Sequence, residues 1–242
     1  MVELEGKRVL VVGATSGMGR ATAAMALRER MEVVIAGSRL DRARRTAEAI
    51  GGGTPVEIDL SDPGSIAGAA EAVGAIDHLV VTAQSPAAVA TIAPLAALDF
   101  EALRRVFEVK FFGSLALVRA FAPHLARDGS IVLMSGAASR RAIPGYVALG
   151  ALNGAVEAAG RQLARDLAPV RVNVVSPGLV RTEAFDGVPE DVREAMFRRS
   201  AEALPVGRVG RPEDIALAVL GLLANGYVTG TVHDVDGGSL IV

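Results

Sequence analysis

The sequence of 242 residues contains no cysteine and no tryptophan, and only 4% of its residues are aromatic. The absence of cysteine excludes disulfide bonds and thiolate chemistry. The net charge is −2, and this balance does not indicate a nucleic-acid partner or a basic membrane-binding face. No apolar run reaches the roughly 18 residues that a membrane-spanning helix needs, and the first residues show no signal-peptide pattern. We therefore expect a cytoplasmic protein with neither a nucleic-acid nor a membrane partner.

Short apolar segments rich in β-branched residues alternate with helix-length stretches along nearly the whole sequence. The strand-like segments read RVLVVG, EVVIAG, PVEIDL, DHLVVTA, SIVLMS, RVNVVS and TVHDVD. Continuous apolar runs of this length are typical of strands buried on both faces, and their alternation with helices favours right-handed βαβ units. We therefore predict an α/β fold with one domain over residues 1–242. Its doubly wound parallel sheet should have seven strands, with helices on both faces.

A glycine-rich turn, in the sequence VGATSGMGRA, follows the first strand-like segment. At such a turn glycine lets backbone N–H groups approach a pyrophosphate, and the N-terminus of the next helix favours the negative charge. Its place after the first strand of a βαβ unit makes dinucleotide binding the favoured interpretation. A purely structural turn is the alternative. The residues expected to hold a cofactor here are Gly13, Thr15, Ser16, Gly17, Met18 and Gly19.

The end of the second strand-like segment, VVIAGSRLDR, bears on the choice of cofactor. An NAD site needs a carboxylate near this point to accept hydrogen bonds from the ribose hydroxyls. The sequence has Gly37 instead, followed by Ser38 and Arg39. A hydroxyl and a guanidinium suit a 2′-phosphate, so we predict a preference for NADP(H) over NAD(H). The alternative is that Arg39 only begins an exposed, arginine-rich helix.

The G-x-x-x-G-x-G spacing, together with EIDLSD, RVNVVSPGLVRT and GRVGRPEDIA, resembles the short-chain dehydrogenase/reductase family over nearly the whole chain. The resemblance implies a Rossmann fold and an oxidoreductase that binds a nicotinamide cofactor. It also implies that Asp59 and Leu60 contact adenine. Further cofactor contacts that it implies are Ala83, Asn153, Pro177, Gly178 and Thr182.

The catalytic side chains of that family, an Asn, a Ser, a Tyr and a Lys, are absent from the matching positions. ALNGAVEA matches the family's ASKGAVEA, which puts Asn153 at the Lys position and Leu149 at the Tyr position. The Ser position, thirteen residues before Leu149, is Gly136, and VKFFG puts Lys110 at the Asn position. The sequence is therefore identified as a divergent member, in which Asn and Lys have exchanged places.

Two residues are the candidates to replace the missing groups. Among 25 basic residues only Lys7 and Lys110 are lysines, and we hypothesise that Lys110 supplies a cation from the opposite wall of the pocket, facing Asn153. The alternative is an ordinary helix residue that reaches solvent. Tyr146 is the only tyrosine near Leu149. If the helix begins directly after Pro144, Tyr146 shares a face with Asn153 and, with Lys110 as partner, can act as the acid for a displaced substrate. The alternative is that Tyr146 lines the pocket or packs.

Three further polar residues complete the sequence-based expectations for this region. Ser135 should point away from the pocket, being one residue off in a strand, whereas Ser139 is free to bind a ligand. His78 is interpreted as a solvated imidazole at the end of a strand. The spacing of the histidines does not suggest a metal site.

The sequence supports three functional hypotheses, all with a bound nucleotide. The first is an NADP(H)-dependent oxidoreductase that moves hydride between nicotinamide and a small carbonyl or alcohol. The second is an inactive NADP(H)-binding sensor or partner subunit, and the third is non-redox chemistry in the same pocket. A lid over about residues 182–205 carries Phe185, Met196 and Phe197, which predicts a partly apolar small-molecule substrate. The small residues after Pro144 and the family resemblance predict a homotetramer or homodimer.

Overall fold

Seven parallel strands form one sheet in the computed structural model, which describes residues 3–242. The strands are β1 (Arg8–Val12), β2 (Glu32–Gly37), β3 (Thr54–Glu57), β4 (Ile76–Val81), β5 (Leu125–Met134), β6 (Arg171–Pro177) and β7 (Val232–Val235). Their order is β3-β2-β1-β4-β5-β6-β7, and every neighbouring pair is parallel. The chain reverses its direction of travel across the sheet between β3 and β4. A crevice for a ligand therefore opens beyond the carboxyl ends of β1 and β4.

Within residues 3–242, eight α-helices connect and cover the strands. They are α1 (Gly17–Arg28), α2 (Leu40–Ile50), α3 (Pro63–Val73), α4 (Phe100–Phe107), α5 (Ser114–Phe121), α6 (Val147–Asp166), α7 (Glu190–Ala203) and α8 (Pro212–Ala224). A π-helical turn, Glu108–Gly113, joins α4 to α5. Helices α1, α2 and α8 pack on one face of the sheet, while α3, α5 and α6 pack on the other. The predicted α/β architecture is confirmed.

The central strand β1 is almost entirely apolar because both of its faces are buried. In β1, Leu10 and Val12 belong to the core under α3 and α5, whereas Val9 and Val11 belong to the core under α1 and α8. Successive side chains of a strand point to opposite faces, so a strand covered on both sides cannot alternate apolar with polar residues. Each such buried side chain stabilises the fold by about 2 kcal/mol.

Helix α6 lies unusually close to the sheet because it carries glycines where it meets other elements. A Cβ atom on Gly160 would lie 2.4 Å from Val174 Cγ2 in β6, and one on Gly150 would lie 2.9 Å from the Ala138 carbonyl oxygen. A Cβ on Gly154 would meet no atom within 4 Å, so this face of the helix is open. Close packing of this kind brings the first half of α6 against the end of β5.

The interpretation of His78 as a solvated residue is wrong. His78 lies in β4, between β1 and β5, and is only 1% exposed. Its Nδ1 is 3.0 Å from Ser130 Oγ, and its Nε2 is buried without a hydrogen-bond partner among the described residues. Burial lowers the pKa of His78 to about 4, so the ring is neutral near pH 7. Within residues 3–242, no helix combines the length and apolar character needed to cross a bilayer.

Candidate active site

The glycine-rich turn wraps the N-terminus of α1 and is held tightly against the strand ends. Gly13 has a φ of +87°, and a Cβ on it would lie 2.5 Å from the Ala83 backbone nitrogen. A Cβ on Gly19 would lie 2.2 Å from the Gly13 carbonyl oxygen. These contacts leave no room for side chains, so the backbone itself forms the floor of the crevice. The N–H groups at the start of α1 can then donate hydrogen bonds directly to an anion in the crevice.

A carboxylate from a distant part of the chain occupies this anion site. The backbone N–H of Gly17 donates a hydrogen bond of 2.8 Å to Glu183 Oε2, and Arg20 Nη2 donates to Glu183 Oε1. Partial burial raises the pKa of Glu183. Its own backbone N–H, the charge of Arg20 and the Gly17 N–H outweigh that effect and lower the pKa below its usual value. Sequence reasoning missed Glu183 because it lies far from the loop along the chain.

Packing explains why the end of β2 carries glycine rather than a carboxylate. A Cβ on Gly37 would lie 2.5 Å from Thr15 Cγ2 in the loop, so any side chain there requires Thr15 to move. Ser38 is exposed beside it. Arg39 is also exposed, and its guanidinium donates two hydrogen bonds to Asp41, at 2.9 and 2.8 Å. An exposed ion pair of this kind is worth little, so Arg39 is available to a stronger anion.

The residues expected to contact adenine follow β3. The Asp59 carboxylate accepts hydrogen bonds from the backbone and hydroxyl of Ser61, at 2.9 and 2.6 Å. Leu60 is 5% exposed and packs in the core, where its carbonyl oxygen would lie 2.4 Å from a Cβ on Gly113. The side chain of Leu60 therefore supports the sheet, which leaves its backbone and Asp59 as the groups able to meet a ligand.

The residues expected to border nicotinamide lie beyond β6. Pro177 ends the strand and is buried, and a Cβ on Gly178 would lie 2.8 Å from Asp236 Cα. Thr182 is close to the phosphate loop, since its Cγ2 would lie 3.1 Å from a Cβ on Gly17. The fold thus places these positions on the same side of the sheet as the glycine-rich turn.

Lys110 does not reach solvent but lies at the bottom of the crevice, where it is 7% exposed. The π-helical turn before α5 carries it, and π-turns inside helices are frequent at functional sites. Its Nζ donates three hydrogen bonds, to Asn153 Oδ1 at 2.8 Å and to Gln84 Oε1 and the Ser135 carbonyl oxygen, both at 3.1 Å. All three acceptors are uncharged. Burial lowers the pKa of Lys110 to about 8.

The altered positions Gly136, Asn153 and Lys110 fit together as one unit. A Cβ on Gly136 would lie 2.9 Å from Asn153 Nδ2, so the missing side chain at 136 makes room for the amide. That amide in turn accepts the hydrogen bond from Lys110. Leu149 packs with the apolar cluster around Val106 and Leu152, and it carries no group that can titrate.

Tyr146 is placed differently from the helix-face arrangement considered above. Helix α6 begins at Val147, and Tyr146 precedes it with a φ of −102° and a ψ of 18°. The Tyr146 carbonyl oxygen accepts the first helical hydrogen bond, from Gly150 N, at 2.7 Å. The side chain is half-buried and its hydroxyl makes no hydrogen bond within the described part of the chain. Tyr146 therefore belongs to the turn before α6 rather than to the face that carries Asn153.

Glu157 is a buried carboxylate beside the site that sequence reasoning missed. Its Oε1 accepts hydrogen bonds from Ser135 Oγ at 3.0 Å and Ser139 Oγ at 2.6 Å, and Arg140 Nε lies 3.5 Å from its Oε2. The Ser139 hydroxyl thus directs its donor to groups within the protein, Glu157 and the Gly136 carbonyl oxygen. The Ser135 hydroxyl donates its hydrogen bond to Glu157, whereas the Ser135 carbonyl oxygen accepts one from Lys110 Nζ. Among residues 3–242, no group of His, Cys, Asp and Glu side chains is arranged to hold a metal ion.

The segment 182–205 consists of a short 3₁₀ turn, Glu183–Phe185, and α7. Phe197 is 2% exposed, packs edge-on against Phe185 with the ring centres 5.5 Å apart, and lies under the Arg181 guanidinium at 4.3 Å. Phe197 thus forms the small core of this segment, and it also lines a cavity together with Arg181. Met196 is half-buried beside it.

The seven-stranded sheet, its switch point and the glycine-rich turn together define a protein of the Rossmann class. The chain belongs to the short-chain dehydrogenase/reductase family of oxidoreductases. The model of the family described as Enoyl-(Acyl carrier protein) reductase matches residues 13–239.

Similarity to individual members covers the whole fold. The chain is 32% identical to the 3-oxoacyl-acyl-carrier-protein reductase FabG of Thermotoga maritima, over 99% of this chain and 100% of the relative. It is 33% identical to L-xylulose reductase of Homo sapiens, over 97% of each. A crystal structure of a small-chain dehydrogenase in complex with NADPH superimposes with a TM-score of 0.86 and 37% identity, over 98% of this chain and 100% of that one.

Proposed function

We propose that this chain is an NADP(H)-dependent oxidoreductase that interconverts a small, partly apolar carbonyl compound and its alcohol through a rearranged active site. The observation that carries the proposal is the buried Lys110 ammonium, held by three neutral acceptors at the bottom of the crevice. Here a cation replaces the neutral amide that the family resemblance implies at this position.

The backbone around α1 fits a dinucleotide. Gly13 and Gly19 pack too closely on neighbouring backbone to carry side chains, and the Gly17 N–H is already bonded to an anion, the Glu183 carboxylate. A phosphate oxygen would take the place of this carboxylate. When bound, the nicotinamide would supply or accept the hydride. The residues expected to hold the dinucleotide are Gly13, Thr15, Ser16, Gly17, Met18, Gly19, Ser38, Arg39, Asp59, Leu60, Ala83, Asn153, Pro177, Gly178 and Thr182.

The preference for a 2′-phosphate is supported by the end of β2. Gly37 offers no carboxylate to the ribose hydroxyls, and Thr15 fills the space that a side chain would need. Ser38 and Arg39 are exposed next to it, and Arg39 has only an exposed partner, Asp41. A dianionic phosphate attracts a guanidinium more strongly than one exposed carboxylate does. The NADPH-bound neighbour agrees with this proposal.

Lys110 is the group proposed to hold and move the proton. A pKa of about 8 is close to neutral pH, which suits a general acid. Of its three acceptors, Asn153 is buried and the Ser135 carbonyl belongs to the strand end, whereas Gln84 is exposed. A substrate oxygen that displaces Gln84 would accept the third N–H of Lys110. In reduction Lys110 Nζ would give its proton to the developing alkoxide, and the neutral amine would then regain a proton from water.

Tyr146 is proposed as a residue that lines the entrance of the pocket. Its position before α6 and its half-buried ring support contact with an apolar part of the substrate. A different hypothesis, in which the phenol of Tyr146 acts as the acid, predicts a large loss of kcat in Tyr146→Phe.

The proposal is tested by NADPH oxidation with a panel of small carbonyl compounds. We expect Lys110→Met to lower kcat by about 100-fold, while Lys7→Met, the only other lysine, leaves kcat unchanged. Lys7 pairs with Asp77 at the amino ends of β1 and β4, away from the crevice, so it is a matched control. Tyr146→Phe should change KM more than kcat; a large loss of kcat would make Tyr146 the acid. NADPH binding without turnover would favour a sensor, a partner subunit or non-redox chemistry.

A homo-oligomeric assembly, a tetramer or a dimer, is also proposed. Phe100 and Phe112 are 57% and 54% exposed near α4 and α5, and Val147 is 53% exposed at the start of α6. Apolar side chains this exposed favour a surface that a second copy covers. Light scattering at micromolar concentration should give a multiple of the chain mass. Phe112→Glu should lower that mass, and a monomeric wild type would refute the assembly.

A further inference from the structure

Both carboxylate oxygens of Glu183 are held at the N-terminus of α1. Oε2 accepts the Gly17 N–H at 2.8 Å, and Oε1 accepts from the Arg20 guanidinium. Arg20 and Glu183 also line a common cavity of about 290 Å³. The carboxylate therefore uses the same backbone donor and the same helix end that an incoming phosphate needs.

A pyrophosphate and the Glu183 carboxylate cannot use this donor together. One N–H group forms one strong hydrogen bond, and two anions at contact distance repel each other. Binding of a pyrophosphate at the Gly17 N–H therefore requires the Glu183 carboxylate to leave that donor.

This contact is the polar connection between the lid and the phosphate loop. In the part of the chain that the structure describes, the other ion pairs of residues 182–203 stay local: Arg193 pairs with Asp186, and Glu194 pairs with Arg181. Glu183 alone in that segment forms hydrogen bonds to α1. When this one carboxylate is released, the polar attachment of the lid to α1 is therefore broken.

We propose that Glu183 is a tethered anion that competes with the cofactor pyrophosphate, so that cofactor binding releases the polar attachment between residue 183 and α1. This inference rests on the proposed binding of NADP(H). The carboxylate satisfies the helix N-terminus in the free protein. When the pyrophosphate displaces it, Arg20 loses its partner and becomes available to a phosphate oxygen.

The test compares Glu183→Gln with Glu194→Gln in NADPH titrations followed by cofactor fluorescence. Glutamine keeps the shape of the side chain but removes the charge that favours the helix N-terminus. We expect Glu183→Gln to bind NADPH about 5- to 10-fold more tightly than wild type, a range that matches the net contribution of one typical intramolecular hydrogen bond. Glu194→Gln removes a negative charge from the same lid, so it controls for general electrostatics and should stay within about twofold.

Two smaller probes locate the effect. The inhibition constant of inorganic pyrophosphate should be lower in Glu183→Gln than in wild type. It should fall by the same factor as the dissociation constant of NADPH. Adenosine 2′-monophosphate lacks the pyrophosphate, so its affinity should not change. A wild type that binds no NADPH overturns the proposed function. A wild type that binds NADPH, with Glu183→Gln equal to or weaker than Glu194→Gln, overturns the competition while leaving the proposed function intact.

Discussion

The Lys110 ammonium donates a hydrogen bond of 2.8 Å to Asn153 Oδ1, so the two exchanged side chains are in direct contact. Both are buried, and Gly136 leaves the space that the amide occupies. A change at any one of these positions therefore disturbs the other two. The structure thus brings Lys110, Asn153 and Gly136 together as one coupled group of contacts in the crevice.

The pH dependence of turnover should report the titration of Lys110. Burial lowers its pKa to about 8, so the ammonium is present below this pH and is lost above it. We expect the kcat for carbonyl reduction to fall about tenfold per pH unit above pH 8. In Lys110→Arg the guanidinium stays charged, so the residual activity should show no such break. A wild-type break that persists unchanged in Lys110→Arg would assign the titration to another group.

Gly136→Ala should destabilise the protein through Asn153. The φ of Gly136 is 168°, which is extended backbone, so the cost comes from the Cβ contact of 2.9 Å with Asn153 Nδ2. We expect a loss of about 1 kcal/mol in the free energy of unfolding. In the Asn153→Ala background the same change should cost nearly nothing. A double-mutant cycle by urea denaturation measures this coupling, and additive effects would contradict it.

Cofactor preference should reverse when Gly37→Asp is combined with Thr15→Ser. The serine removes the Cγ2 that would lie 2.5 Å from the new Cβ, while the hydroxyl is retained. A carboxylate at the end of β2 accepts hydrogen bonds from the ribose hydroxyls and repels a 2′-phosphate. We expect the ratio of the NADPH and NADH dissociation constants to change by at least about tenfold, or 1.4 kcal/mol.

Two single variants control this experiment. Thr15→Ser alone should leave the ratio near its wild-type value. Gly37→Asp alone should unfold more easily than the double variant, by about 1 kcal/mol, because the steric conflict remains. Equal stability of Gly37→Asp and the double variant would show that the loop accommodates the aspartate side chain without loss of stability.

Stability toward acid should depend on His78. Its pKa is about 4 in the folded protein and near 6.5 when solvated, because burial disfavours the charged ring. The unfolded chain therefore binds the extra proton first, and stability falls as the pH drops from 6.5 to 4. His78 should account for about 3 kcal/mol of that loss.

The matched comparison for this prediction is the double variant His78→Leu/Ser130→Ala. It removes both partners of the buried hydrogen bond, so no orphaned hydroxyl remains. Urea denaturation at pH 7 and pH 4 should show a smaller loss of stability in the variant than in the wild type. An equal loss in both proteins would assign the acid sensitivity to other groups.

The strands and the glycine-rich turn were predictable because their signals are local. Apolar runs such as RVLVVG indicate strands buried on both faces, and β1 is found at Arg8–Val12. The burial of His78 could not be predicted in this way, because the sequence of a strand does not show whether a single polar residue in it is buried. Its burial depends on the neighbouring strands and on the helices that cover them, and these are distant in sequence.

The roles proposed for the candidate residues remain predictions, as do the cytoplasmic location and the assembly state. The contact between Lys110 and Asn153 agrees with the arrangement that the aligned motifs suggested. Glu157 and Glu183 were missed, since their partners lie in other elements of the fold. The sequence did not fix the residue at which α6 begins. The structure begins this helix at Val147, so Tyr146 lies just before it.

The sequence by itself determined the order of strands and helices and the position of the glycine-rich turn, because each depends on neighbouring residues or fixed spacings. Only the tertiary structure decided which groups meet. Lys110 reaches Asn153 from another helix, and Glu183 reaches Gly17 from the other end of the chain. Burial and hydrogen bonding act through space, so the charge state of the crevice and the occupant of the anion site depend on how the elements pack.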